Sequence, residues 1–221
     1  MTVPYRDPPT LTMLREAYTL LLKLPKRNHK TPPKNLPLDG VYAFFERGEK
    51  CRINGRKVKR IVRVGINEQD GNFRKRIRQH YGNVNSLMGH TTGSVFRNLV
   101  GGALLRKAKD RRWKRWVDKI GSFPDVEKKV SAQLRRNFTF VCFRLNTQTG
   151  RHRVEKGLIG LLACCSPHAP SKRWLGYHAA DERVQESCLW NRNYTKPKAI
   201  DLSWFDQFKR AVQSQLRRHR H

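Results

Sequence analysis

Acidic residues are scarce in this chain. Seventeen Asp and Glu stand against forty-seven Lys and Arg, which leaves a formal net charge of +30 over 221 residues. The basic residues recur along the whole length instead of collecting in one tail, and a charge of that size repels itself unless a polyanion is close. Long apolar runs are missing too. No stretch approaches 18 apolar residues and no signal-peptide pattern opens the chain, so neither a membrane span nor export is expected. The five cysteines, Cys51, Cys142, Cys164, Cys165 and Cys188, form an odd set without C-x-x-C spacing. That pattern disfavours a zinc ribbon or a disulfide scaffold and leaves buried thiols in a reducing cytoplasm. Internal repeats, low-complexity tracts, zinc-finger spacing and a clear helix-turn-helix are all absent.

What is present suits a packed domain. Hydrophobic residues make up 38% of the chain, with ten Phe and five Trp, enough to fill a core. The length suits one domain with extensions. Nucleic acid is the first partner to consider, because phosphate neutralisation and counterion release draw on Lys and Arg. An anionic membrane surface is second, and the lack of an apolar run counts against it. We therefore expect a cytoplasmic, nucleoid-associated protein.

Read in order, residues 1–37 give a Pro-rich opening, then Thr12 as N-cap for the amphipathic MLREAYTLLLKL, then PKRNHKTPPKNLP, a basic linker or tether by composition. Residues 38–200 form the main domain, and residues 201–221 a C-terminal helix ending in bare charge. The stretch that organises the domain is LDGVYAFFERGEKCRINGRKVKRIVRVGINEQDGNFRKRIRQHY, residues 38–81. Two β-rich runs, GVYAFFE and RIVRVGI, flank a polar region containing glycine, which signals a hairpin. A helical segment follows, with Phe73, Ile77 and Tyr81 on one stripe and Arg76 with His80 on another. An Arg and a His among apolar residues carry a desolvation cost that asks for a function. Gly82 to Gly93 is loop-like. In SVFRNLVGGALLRKAKDRRWKRWVDKI, Val95, Leu99, Gly102 and Leu105 share a face. The RRWKRW patch reads either as a solvated basic flank or as a grip on nucleic-acid backbone. VEKKVSAQLRR is a helix, NFTFVCFRL a strand, TQTGR a turn, and RHRVEKGLIGLLACC another helix. The order β-β-α-α-α-β-α predicts a small α+β domain.

One acid stands out. Glu155 opens that later helix, with Leu158, Ile159 and Leu162 at +3, +4 and +7, so it shares the inward stripe. A first-turn glutamate complements the helix dipole. It could equally reach into a cleft and hold a hard cation through oxygen.

Together these elements resemble the GIY-YIG nuclease superfamily. Gly40-Val41-Tyr42 stands where the first strand carries GIY, and Arg63-Val64-Gly65 where the second carries YIG. Phe73, Arg76 and His80 match L-x-x-R-x-x-x-H, and Glu155 with Leu158-Ile159 matches E-x-x-L-I. The chain is similar in particular to a little-described prokaryotic group with RVG in place of YIG, which also has counterparts of SVFRNLVGGALL, of WLG at 174–176 and of SCLWN at 187–191. The similarity covers roughly residues 38–200.

The resemblance implies a three-stranded antiparallel sheet flanked by helices, and DNA cleavage with one divalent metal that leaves a 5′-phosphate. It implies that Glu155 holds Mg²⁺ or Mn²⁺, that Tyr42 orients or deprotonates the attacking water, that Arg76 neutralises charge on the scissile phosphate, and that His80 positions or shares the proton. Arg63 departs from the pattern by replacing its second tyrosine. It could contact phosphate bidentately, or its presence could weaken activity. A phenol of ordinary pKa near 10 is a poor base at neutral pH, so its use requires positive charge nearby. The plainer readings are a Tyr42 bonded at the sheet rim and an Arg76–His80 fringe touching only backbone. Asn191 would contact substrate or brace the site, and Trp190 would pack.

The expected activity is therefore divalent-metal-dependent endonucleolytic hydrolysis of double-stranded DNA, in a restriction or other defence role. A homodimer is the assembly that cutting two strands would call for. The alternatives are a non-catalytic nucleic-acid-binding protein on the same scaffold and a basic component of a ribonucleoprotein.

Overall fold

Asn54 and Gly55 both adopt positive φ (50° and 72°), the pairing that a two-residue type I′ turn requires. That turn joins β1 (Gly40–Ile53) to β2 (Arg56–Ile66) in a computed structural model that describes residues 8–163, 166–196 and 203–218. Residues 1–7, Cys164, Cys165, residues 197–202 and the last three residues lie outside the described residues. The strands are longer than the apolar runs suggest. GEKCRI and RKVK are strand, not turn region, because Cys51, Ile53 and Val58 pack inward while Lys50, Arg52, Lys57 and Lys59 face out.

Strand order is β2-β1-β3, all antiparallel, with β3 spanning Phe138–Arg144. The α+β, three-stranded expectation holds. Residues 40–46 of β1 are all buried because helices cover both faces of the sheet. On one face Val41, Ala43, Phe45, Val64, Ile66, Val141 and Phe143 meet α1 (Pro8–Leu21), α6 (Gln148–Leu162) and α8 (Ser203–Arg218). On the other, Tyr42, Phe44, Val62, Phe140 and Cys142 meet α2 (Phe73–Tyr81), α3 (Val95–Lys107) and α5 (Pro124–Asn137). Phe44 pairs with Arg63 but Phe45 pairs with Ile61, so Val62 is an extra residue in β2. Such a bulge re-aims the strand. It puts Arg63, like Val62, on the Tyr42 side.

Both sheet edges are covered, as unpaired strand edges demand. Along β2, Asn191 accepts from the Val64 amide (3.1 Å) and donates to its carbonyl (2.9 Å), while the Trp190 amide donates to Val62 (2.7 Å). Asn191 therefore braces the sheet, and Trp190 packs, fully buried. Along β3, Arg27 exchanges backbone bonds with Phe140 (2.7 and 2.9 Å). The start of the basic Pro-rich segment is thus pinned to the sheet, which corrects the reading of it as a tether.

Two further expectations change. Helix α3 is buried nearly all round rather than on one face, because α4 (Trp113–Val117) closes over it. Trp116 lies against Gly101, where any side chain would collide with the indole, and donates to the Asn98 carbonyl (3.0 Å). Only Trp113 of the RRWKRW patch keeps a cationic setting, with Arg106 and Lys114 over its ring. Helix α6 begins at Gln148, inside the expected TQTGR turn, because Thr147 caps it by accepting from the Gly150 amide (3.3 Å). Glu155 is consequently the eighth residue of the helix, too far along to cap the dipole.

Away from these features, Glu46 is buried and accepts both indole N–H groups of Trp174 and Trp190 (3.0 Å each). Burial outweighs those bonds and pushes its carboxyl up from 4.5 to about 7. Between those values the folded chain holds a proton that the unfolded chain has released, so this group's contribution to stability falls as pH rises from 4.5 to 7. The full shift corresponds to roughly 3 kcal/mol. Glu46→Gln keeps an acceptor for the indoles, so the variant should match the parent near pH 5 and exceed it at pH 8. Urea melts at the two pH values check this, and an equal effect at both would refute it.

Candidate active site

The site lies where the ends of β1 and β2 meet α2, the loop before α3, and α6. Tyr42 crosses directly over Gly65, its cross-strand partner, where any β-carbon would strike the phenol. The ring is fully buried against Phe44, Phe73 and His80. Its hydroxyl lies 2.8 Å from Nε2 of His80, and His80 Nδ1 lies 2.9 Å from Oγ of Ser94. Burial, then the charges of Arg76, Arg63 and Arg97, holds His80 well below its ordinary pKa, so the imidazole is neutral. Ser94 caps α3 by accepting from the Arg97 amide (3.3 Å). It is fully buried, and its own proton needs an acceptor. The neutral ring donates through one nitrogen and accepts through the other, so it links the Tyr42 and Ser94 hydroxyls in one row.

Arg97 holds this row from behind. It donates to the His80 carbonyl (3.0 Å) and forms a buried ion pair with Glu127 (2.5 Å). Neither Ser94, Arg97 nor Glu127 was expected from the sequence. A signal for Ser94 did exist, since a serine directly before VFRNL is a helix N-cap by residue type. Arg97 and Glu127 are thirty residues apart, and nothing local connects them.

Arg63 is buried beside the phenol. Its guanidinium donates to the Trp190 carbonyl and lies over the Phe96 ring (4.9 Å), and the neighbouring Tyr42 hydroxyl favours its charged form against the burial that disfavours it. Its Nε has no partner among the described residues. Arg76, half-buried on α2, is fixed at one end only, by donating through one terminal nitrogen to the Gly93 carbonyl (2.9 Å) and to Gln79.

Glu155 reaches the same place from α6. One turn earlier Arg151 is fully buried and holds Asp70 (2.6 Å), Asp39 (3.5 Å) and the Asn67 carbonyl (3.1 Å), which fixes the helix against the loop after β2. Residues four apart lie on one helix face, so Glu155 points along that loop. Burial pushes its carboxyl up to about 7, against the pull of Arg63 and Arg76 and with Glu68 adding to the rise. No hydrogen bond to a described residue satisfies it. The five residues singled out in the sequence thus share one locality: Arg63 senses Tyr42, Arg76 and Glu155, and His80 bonds Tyr42.

Could this locality hold a divalent cation? No group of three or more His, Cys, Asp or Glu side chains clusters for a metal among the described residues. Mg²⁺, however, is commonly bound by one or two carboxylates together with waters and substrate phosphates. A half-buried Glu155 that no described residue hydrogen-bonds, with the exposed Glu68 (itself 3.0 Å from His152) adding negative charge, fits that mode, and a cation would offset the desolvation that now favours the proton on Glu155.

The model of a GIY-YIG domain family matches residues 11–218, which takes in α8 and all but the first residues of α1. The chain belongs to this family of nuclease-type domains, whose members generally hydrolyse DNA as endonucleases. Neither a curated protein nor a solved structure matches it. Among the described residues no helix is long and apolar enough to cross a membrane.

Proposed function

We propose that this protein is a divalent-metal-dependent endonuclease that hydrolyses phosphodiester bonds in double-stranded DNA. The observation that carries the reading is the convergence of a phenol bonded to a neutral imidazole, two guanidiniums, and a half-buried carboxylate that no described residue hydrogen-bonds.

Glu155, with Glu68 beside it, would hold Mg²⁺ or Mn²⁺. The ion would lower the pKa of a coordinated water and stabilise the departing oxygen. Tyr42 orients the attacking water through its hydroxyl. When ionised, the phenol oxygen is held by Arg63 and by the Nε2–H of His80, and it takes the proton that water gives up as the new P–O bond forms. His80 stays neutral, so it fixes the phenol without competing for the phosphate. Arg76 keeps donors that no described residue takes up, and a fixed guanidinium on the scissile phosphate is typically worth about 3 kcal/mol of barrier. Cleavage of the bond to the 3′ oxygen leaves a 5′-phosphate. The +30 charge supplies sequence-independent affinity for the duplex. The role we assign is restriction or another defence function in a prokaryote, and cutting both strands would call for a homodimer.

The test is nicking of supercoiled plasmid with Mg²⁺ or Mn²⁺, run beside Glu155→Ala. Nicking that disappears in the variant supports the enzyme. Salt-sensitive binding without cutting, shared by both proteins, leaves a non-catalytic DNA-binding protein.

A further inference from the structure

Beyond the bulge, β1 and β2 continue as a two-stranded arm whose two faces are unlike. One face carries Cys51, Ile53 and Val58, which join the core beside α1. The other carries Lys50 directly opposite Lys59 and Arg52 directly opposite Lys57, all four exposed. Like charges facing each other across a strand pair destabilise it. Here the two pairs that share this face are built entirely of cations, with the Cys51–Val58 pair between them turned the other way. None of the four forms an ion pair with a described residue, and the nearest buried acid, Glu49, is committed to Arg60 (3.1 Å) and Ser171 (2.6 Å). Lys26 adds to the repulsion, since its proximity, then burial, lowers the Lys59 ammonium from its ordinary value. An arm that repels itself in the free protein is suited to a partner that supplies dense negative charge.

We propose that the exposed face of the β1–β2 arm is a docking strip for the phosphate backbone of duplex DNA, separate from the residues assigned to cleavage. The choice of DNA as the polyanion rests on the nuclease reading above. The strip itself rests on the register. Same-face residues along a strand are about 7 Å apart and paired strands about 4.8 Å apart, so the four cations form a compact patch for adjacent phosphates. Six steps along β2 separate Lys59 from Gly65 under the phenol, or about 20 Å. At 3.4 Å per base pair that is roughly six base pairs to one side of the cut. The arm would hold the duplex at that distance while the site acts on it.

The experiment compares the full chain with a variant carrying Lys50→Ser, Arg52→Ser, Lys57→Ser and Lys59→Ser. A control replaces four exposed cations elsewhere, Lys128, Lys172, Arg217 and Arg218, with serine. Affinity for a 30-base-pair duplex is measured by fluorescence anisotropy across a salt series without metal. Each phosphate that is no longer neutralised lowers the slope of log K against log salt by about 0.9, so the slope of the arm variant should drop by about 3 to 4. Its thermal midpoint should stay level or rise, because repulsive rungs are removed. An arm variant with the parent slope, or a control whose slope drops as much, overturns the proposal, as does a fall in the midpoint. Duplex RNA and phosphatidylserine vesicles are run in parallel, and an arm effect confined to either one overturns the assignment to DNA. Because no cutting is measured, the two readings can fail separately. Arm-dependent DNA binding in a protein that never cuts keeps the strip and removes the nuclease. Glu155-dependent cutting with an unchanged arm slope does the reverse.

Discussion

Glu155→Gln is expected to slow single-turnover DNA cleavage at saturating Mg²⁺ by a factor of about 10³ or more, while leaving duplex affinity in the absence of metal unchanged or slightly tighter. The substitution is nearly isosteric, so α6 keeps its place through Arg151, which holds Asp39 and Asp70 independently. What the variant lacks is the carboxylate that opposes Arg63 and Arg76 from the helix side. A metal's stabilisation of transition-state charge is worth several kcal/mol, and about 4 kcal/mol is a thousandfold in rate. The wild-type pH dependence should carry the same signature. The Glu155 carboxyl is pushed up to about 7 by burial, and a cation must displace that proton. With metal below saturation, activity should therefore fall about tenfold per pH unit below 7 and level off above it. The variant's residual rate should lack that step. If Glu155→Gln cuts at the wild-type rate, the ion is held elsewhere or not needed.

The sequence made some parts of this arrangement legible because they lie close together in it. Tyr42, Arg63, Arg76 and His80 fall within forty residues, on a hairpin and a helix whose periods can be read directly. Glu155 was legible as an inward-facing residue from its spacing to Leu158, Ile159 and Leu162. Its place within the helix was not, because the helix start depends on Thr147 finding the Gly150 amide. The bulge at Val62 is invisible in a run of alternating β-formers, yet it decides that Arg63 faces the phenol. Cover for the β2 edge comes from Trp190 and Asn191, more than a hundred residues away. The supports behind His80 are likewise tertiary: Ser94 is fourteen residues distant, and Arg97 meets Glu127 across thirty. Residue types told us which groups could do chemistry, and packing alone told us what holds them still.

Packing is also what makes Tyr42→Phe a clean experiment on the proton path. The ring's edge contacts with Phe44, Phe73 and His80 survive the change, as does its fit over Gly65. Only the hydroxyl goes, and with it the bond to His80 Nε2 and the favourable charge interaction with Arg63. Positioned proton transfer contributes typically about 10²- to 10⁴-fold, so single-turnover cleavage should fall by that order while metal and duplex affinities hold. The thermal midpoint should drop modestly, because a buried imidazole nitrogen is left without its partner. His80 is held neutral by burial and by three nearby arginines, so it cannot take over as a charged donor anywhere near neutral pH. Raising the pH should therefore recover the variant's rate only through hydroxide, in proportion to its concentration, whereas the wild type should plateau above the Glu155 step. A Tyr42→Phe enzyme with the parent's rate and pH profile would show that the phenol is merely packed beneath the groove, and would move the task of activating water to the cation and Arg76.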